Sequence, residues 1–193
     1  MLMRVIGITG TFGAGKGTVV EYLQEGYKVK HFSIRAMIAK CAYDHYGVTI
    51  KSRDDLRINA NKLRKEFGPD ILFRTAADCA DGQKNCHIAI IESIRCLGEV
   101  DYLTERYKKL FSLLAVDAKQ GERFKRVTSR GEITDKVSFE EFCRQESAEF
   151  ESTSLWGQNL VRCIARANHI ILNNGIKDDL HAAVDKFIYE NVI

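Results

Sequence analysis

A chain of 193 residues with 45% apolar content can bury one good core and needs no second domain. The formal net charge of +3 is too slight to mark a nucleic-acid or membrane-coating surface, so the basic residues inform only where they cluster. With no basic-apolar-small leader pattern before the first strand and no apolar run near ~18 residues, the expectation is a soluble, cytoplasmic chain.

The first element carries the strongest signal. Residues 4–18 read Arg-Val-Ile-Gly-Ile-Thr-Gly-Thr-Phe-Gly-Ala-Gly-Lys-Gly-Thr: an apolar run, a glycine-rich turn, then a lysine at a helix start. Gly10, Gly13 and Gly15 let the backbone take positive φ and turn its N–H groups inward, while the helix N-terminus adds partial positive charge. The turn Gly10, Thr11, Phe12, Gly13, Ala14, Gly15, Lys16, Gly17, Thr18 therefore predicts a nest for the phosphates of a nucleoside triphosphate, with Lys16 reaching the β- and γ-phosphates. Gly17 follows the lysine and the hydroxyl comes one position later, at Thr18. Magnesium is then expected to be held by phosphates, waters and a carboxylate rather than by a hydroxyl beside the lysine.

Further along, Met3–Thr9, Lys28–Phe32, His87–Glu92, Leu110–Asp117 and His169–Asn173 read as strands, apolar on both faces, which predicts a parallel sheet covered on both sides. Helical patterns fall near 16–26, 34–46, 53–67, 70–81, 99–109, 119–130, 138–151, 156–167 and 177–190, giving βαβ repetition. Pro69, after Gly68, interrupts the helical region between strands two and three. Two stretches linger outside the sheet, 50–85 and the polar 128–156.

Ligands of open parallel sheets sit beyond the carboxyl ends of the strands, and those ends are polar here. Strand two leads into Ser33-Ile34-Arg35, strand three into Glu92-Ser93-Ile94-Arg95, and strand four ends at Asp117. Glu92 is placed either to orient magnesium-bound water or to cap a helix, and Arg95 to fork onto an acceptor phosphate or to lie at the surface. Arg123, Arg126 and Arg130 recur at i, i+3 and i+7 on one helix face, a spacing that fits either a clamp on transferring phosphates or a solvated face, Arg123 being the most ordinary of the three. Ser33, Arg35, Arg57 and Arg64 are acceptor-side candidates. The six cysteines form no C-x-x-C pair, and together with the scattered histidines they predict reduced, mostly buried thiols and no zinc site.

Together, the Gly10–Thr18 turn, the strand end Glu92-Ser-Ile-Arg95, the arginine series and the closing Ala167-Asn-His-Ile-Ile-Leu-Asn173-Asn-Gly175 resemble the small P-loop kinases, the nucleoside monophosphate kinases and their relatives, including dephospho-CoA kinase. The resemblance implies a three-layer α/β P-loop NTPase fold with a five-stranded parallel sheet of order 2-3-1-4-5. It also implies an acceptor-binding helical region within 50–85 and a lid within 128–156. That family ends its third strand with Asp-Gly-Phe-Pro-Arg, whose arginine holds the acceptor phosphate; Glu92 and Arg95 match its first and last positions, while Ser93 and Ile94 depart from it. By the same resemblance Arg126 and Arg130 are lid arginines, and Asn173–Gly175 lies against the donor base. The implied activity is ATP-dependent, magnesium-assisted phosphoryl transfer to a nucleotide-like small molecule, with no nucleic acid or membrane as partner and with oligomeric state unspecified.

Gly-Lys-Gly-Thr leans towards monophosphate kinases, whereas Asn-Asn-Gly and Glu140-Glu141-Phe142…Gln145 lean towards dephospho-CoA kinase. The Asp-x-Asp that supplies a base for a hydroxyl acceptor is absent at the end of strand two. An arginine there favours an anionic acceptor, so a nucleoside monophosphate is the first expectation, a ribose hydroxyl the second, and a nucleotide-dependent switch the reading from another class.

Overall fold

The computed structural model describes residues 2–130, 138–150 and 157–193. Five parallel strands, β1 (Arg4–Gly10), β2 (Val29–Phe32), β3 (Ile88–Ile94), β4 (Phe111–Asp117) and β5 (His169–Leu172), form one sheet in the order β2-β3-β1-β4-β5. The helices are α1 (Lys16–Gly26), α2 (Ile34–Tyr46), α3 (Arg53–Phe67), α4 (Ile71–Asp81), α5 (Leu97–Tyr107), α6 (Gln120–Arg130), α7 (Phe139–Phe150), α8 (Leu160–Ala165) and α9 (Lys177–Asn191). None of the described helices is long and apolar enough to cross a membrane.

The doubly apolar strands follow from two cores on opposite faces. Val5, Ala89, Ile91 and Leu113 point into one core, with side chains of α2 to α5, while Ile6, Ile8, Ile90, Leu114 and Val116 point into the other, against α1 and α9. Alternate residues of each strand thus serve alternate faces, and each needs an apolar partner because helices exclude water from both. A smaller cluster of Phe12, Val127 and Phe142, joined by Phe124, ties the glycine-rich turn to α6 and α7.

The structure moves some element limits. Strand β3 continues past Glu92 to Ile94, through an irregularity where Ser93 takes φ 69° and the pairing with β1 shifts between Ile8 and Thr9. Thr9 Oγ1 donates to the Ile94 carbonyl at 2.8 Å, closing the distorted end. Such a bulge re-aims the side chains beyond it, and a period-two pattern does not announce it. Helix α8 begins only at Leu160, where Asn159 caps it, its side chain accepting from Arg162 N–H at 3.1 Å. Pro69 separates α3 from α4 as expected, after Gly68 at φ 104°. Of the 128–156 stretch, residues 131–137 and 151–156 lie outside the described residues, as does Met1.

Candidate active site

The turn after β1 is built by backbone geometry that only glycine adopts without strain. Gly10, Gly13 and Gly15 take φ of 134°, 78° and 103°. A Cβ on Gly10 would collide with the Val116 carbonyl of β4, and one on Gly15 with the Asn173 side chain. Thr11 Oγ1 donates to Asp117 Oδ1 at 2.6 Å, and Asn173 Nδ2 donates to the Ala14 carbonyl at 2.8 Å, so β4 and the turn after β5 brace the loop from behind.

Lys16 opens α1 and folds back, its ammonium donating to the Gly10 and Thr11 carbonyls at 2.8 Å each. Removal from water, reinforced by Arg95 and Arg53 and opposed by Glu149 and Glu92, pushes its pKa down to about 7. A lysine so placed gains a favourable partner as soon as an anion enters.

The loop opens onto a cleft of about 740 Å³. Its walls include Phe12, Gly13, Gly15, Lys16, Gly17 and Thr18, the strand-end residues Glu92, Ser93 and Arg95, Arg35 of α2, Arg57 and Arg64 of α3, and Arg126 and Arg130 of α6. Residues as far apart in sequence as Phe12 and Arg130 thus face one space, because every crossover returns the chain to the same rim of the sheet. Cationic side chains outnumber carboxylates in that lining, a field suited to a polyphosphate.

Several candidates occupy other positions. Ser33 caps α2, accepting from Ala36 N–H at 3.4 Å, and is not among the cleft-lining residues. Arg64 touches the cleft, but its guanidinium is buried on Glu99, donating from Nε at 2.8 Å and from its NH2 group at 2.6 Å. Glu99 in turn accepts from the N–H groups of Arg95 and Cys96, so Arg64 supports the end of β3 from below. Arg123 leaves its two companions: it is 5% exposed, donates to the carbonyls of Ala118 and Phe12, and pairs with Glu146. Arg126 donates to the Asn173 carbonyl at 2.9 Å, and the Arg130 guanidinium stands 5.8 Å from the centre of the Phe12 ring. Asn173 and Gly175 line a separate cavity of about 250 Å³ beside β5 and α9.

Three residues with no assigned role in the sequence reading stand in the cleft. Arg53, at the start of α3, lies 3.5 Å from the centre of the Phe12 ring and donates to Glu149 at 2.6 Å. Glu149, near the end of α7, is buried and also accepts from Arg95 Nε at 3.3 Å. Burial alone would raise its pKa, but Arg95, Arg53 and Lys16 outweigh that and hold the carboxyl below its ordinary range. His31 of β2 approaches Glu92 at 3.9 Å; burial lowers its pKa against the opposing pull of Glu92. No local spacing could have found Arg53 and Glu149, 96 positions apart.

No cluster of three or more His, Cys, Asp or Glu suited to a metal occurs among the described residues. Magnesium keeps several waters and needs only one or two carboxylates once phosphates are present, a demand that Glu92 in the cleft lining could meet. The Glu92 carboxylate accepts from the Ser93 hydroxyl beside it.

Sheet order, glycine-rich loop and cleft define a P-loop NTPase fold. The chain belongs to the AAA_18 family, described as an AAA domain, which matches residues 6–152. It is 28% identical over 192 residues to UPF0200 protein MJ1399 of Methanocaldococcus jannaschii, covering 97% of this chain and 90% of that one. It is 26% identical over 197 residues to UPF0200 protein PYRAB09750 of Pyrococcus abyssi, covering 97% and 98%. Among solved structures, TT1252 from Thermus thermophilus superposes with a TM-score of 0.66 at 23% identity, and the shikimate kinase of Bacteroides thetaiotaomicron with 0.54 at 13%, each covering 98% of both chains. These likenesses show the fold.

Proposed function

We propose that the chain is a single-domain, ATP-dependent phosphotransferase whose acceptor is a nucleoside monophosphate. One observation carries this reading: Arg95 and the phosphate loop with Lys16 line one cleft, which suits an anionic acceptor brought up to an anionic donor. The loop amides and Lys16 hold the donor's β- and γ-phosphates, with the base against Asn173–Gly175. Arg95, with Arg35 and Arg57 behind it, orients the acceptor phosphate. Arg126 and Arg130, at the edge of a lid region spanning about 128–156, stabilise charge on the transferring group. The helical stretch about 50–85 forms the acceptor wall. Glu92 would hold magnesium through water, and the ion would supply positive charge against that of the phosphates. Phosphoryl transfer needs position and charge from a protein more than covalent chemistry, and this lining supplies both.

Replacing Lys16 with Ala removes a group placed to act on the transferring phosphate, so turnover falls by about 100-fold or more with the fold retained. The check is a coupled ADP-release assay with circular dichroism on the same sample; near wild-type turnover with the true acceptor refutes the mechanism. A second reading, phosphorylation of a ribose hydroxyl as in dephospho-CoA kinase, draws on His31 beside Glu92 at the end of β2, a pair able to take a hydroxyl proton. Running the assay across nucleoside monophosphates and dephospho-CoA separates the two, and hydrolysis unaffected by any acceptor indicates a nucleotide switch.

A further inference from the structure

Glu149 is a carboxylate set among cations. Its side chain is 6% exposed, and its two oxygens are divided between Arg53, at 2.6 Å, and Arg95, at 3.3 Å. Taking a carboxylate out of water costs several kcal/mol, which only well-placed partners offset, and a phosphate satisfies the same paired guanidinium groups with more charge and a third oxygen. Each guanidinium already donates to this carboxylate, so an acceptor phosphate lodged between them meets Glu149 as a competitor.

The way α7 is anchored allows that exchange. Its first half is fixed by Phe142, whose ring stacks on Phe12 at 5.5 Å, and its middle by the buried pair of Glu146 with Arg123. Glu149 sits beyond both anchors, one residue before the helix ends at Phe150. Moving its carboxylate out of the cleft unwinds the last turn and leaves the aromatic cluster in place.

We propose that Arg53 and Arg95 form one anion subsite, filled by Glu149 in the ligand-free enzyme and surrendered to the acceptor's phosphate when the acceptor binds. The inference rests on the kinase reading above and extends it in two ways. Arg53 becomes a specificity-determining residue that selects a phosphate-bearing acceptor, and Glu149 becomes an internal competitor that lowers affinity for it. Arg53 also packs on Phe12 of the phosphate loop, so release of Glu149 is felt on the donor side of the cleft.

Inorganic phosphate is the probe, titrated calorimetrically at constant ionic strength into the full chain without ATP. Glu149→Gln removes the competing charge and keeps the shape, so phosphate binds about tenfold more tightly, as expected when a competent state populated near 10% becomes dominant. The gain disappears in Arg53→Gln/Glu149→Gln, which places it at the Arg53 subsite and not in the phosphate loop. Equal or weaker binding by Glu149→Gln overturns the inference, and so does a gain that survives loss of Arg53. Should Glu149→Gln not fold, hydrogen exchange on the wild-type chain decides: phosphate deprotects the amides of 147–150 but not those of 140–144, and unchanged protection at 147–150 is the contrary result. Neither readout involves turnover, so the anion subsite can fail while the kinase assay succeeds, or the reverse.

Discussion

Lys16 carries a charge that its surroundings disfavour. Its pKa of about 7 lies well below the ordinary lysine value because burial and the guanidinium groups of Arg95 and Arg53 disfavour the charge. A folded-state pKa below the unfolded one means that the unfolded chain binds more protons between about pH 7 and pH 10.5, so this group's contribution to stability rises with pH across that window. A triphosphate reverses the local field and raises the pKa. Nucleotide binding at pH 8 should therefore take up a proton, and affinity should fall as pH rises above 7. Calorimetry in two buffers of different ionisation enthalpy reads the uptake directly; identical apparent enthalpies would contradict the assignment. The same logic predicts that Lys16→Met raises the melting temperature of the ligand-free chain at pH 6, where the buried ammonium is charged, and that the gain narrows towards pH 10.

At the scale of elements, the end of β3 is positioned by a helix that contributes nothing to the cleft itself. Glu99 of α5 is fully buried; one oxygen takes two bonds from Arg64 of α3, and the other takes the N–H groups of Arg95 and Cys96. Removing one partner of a buried pair leaves an unpaired charge inside, so Glu99→Ala should cost about 3–5 kcal/mol, measured by urea unfolding. Because Arg95 loses an anchor at its own backbone, the surviving folded fraction should also bind nucleoside monophosphate more weakly than ATP analogues would suggest. Unfolding within about 0.5 kcal/mol of wild type would show that the pair is not a support. This network also explains what the sequence disclosed and what it withheld. The strand order and the phosphate loop were legible because alternation of apolar residues, and glycines at positions of forced positive φ, are local consequences of the fold. Which arginine faces the cleft was not. Arg64 and Arg123 share a helical face with cleft residues, yet each is turned onto a buried glutamate, Glu99 or Glu146, supplied by an element elsewhere in the chain. Arg53 became a cleft residue for the same reason: its partner, Glu149, comes from a helix that only the folded topology brings near. A spacing rule can identify a face, but the partner decides which way a guanidinium points.

Across the whole molecule, the crossovers of the sheet bring the loop after β1 and the end of β3 to one cleft. The loop after β1 with Lys16, Arg95 at the end of β3, the arginines of α3, and Arg126 and Arg130 of α6 all line it, and Arg126 also donates to the Asn173 carbonyl. The loop and the end of β3 are held by separate contacts: β4 and Asn173 brace the loop, whereas Glu99 braces the end of β3. Binding at one should therefore be separable from binding at the other. A ligand that binds only the folded chain stabilises it by about 2.7 kcal/mol at 100 times its Kd, which for a chain of this size corresponds to a rise in Tm of roughly 5–11 °C. Lys16→Ala should lose the shift given by a non-hydrolysable ATP analogue and keep the one given by a nucleoside monophosphate. Arg95→Met should do the opposite, since its methylene stem is retained and only the anion-holding fork is lost. A crossed pattern of this kind assigns the donor to the loop and the acceptor to the β3 end in one set of melting curves. Loss of both shifts in either variant would mean that a single anion site serves the cleft, with the acceptor phosphate bound through the loop.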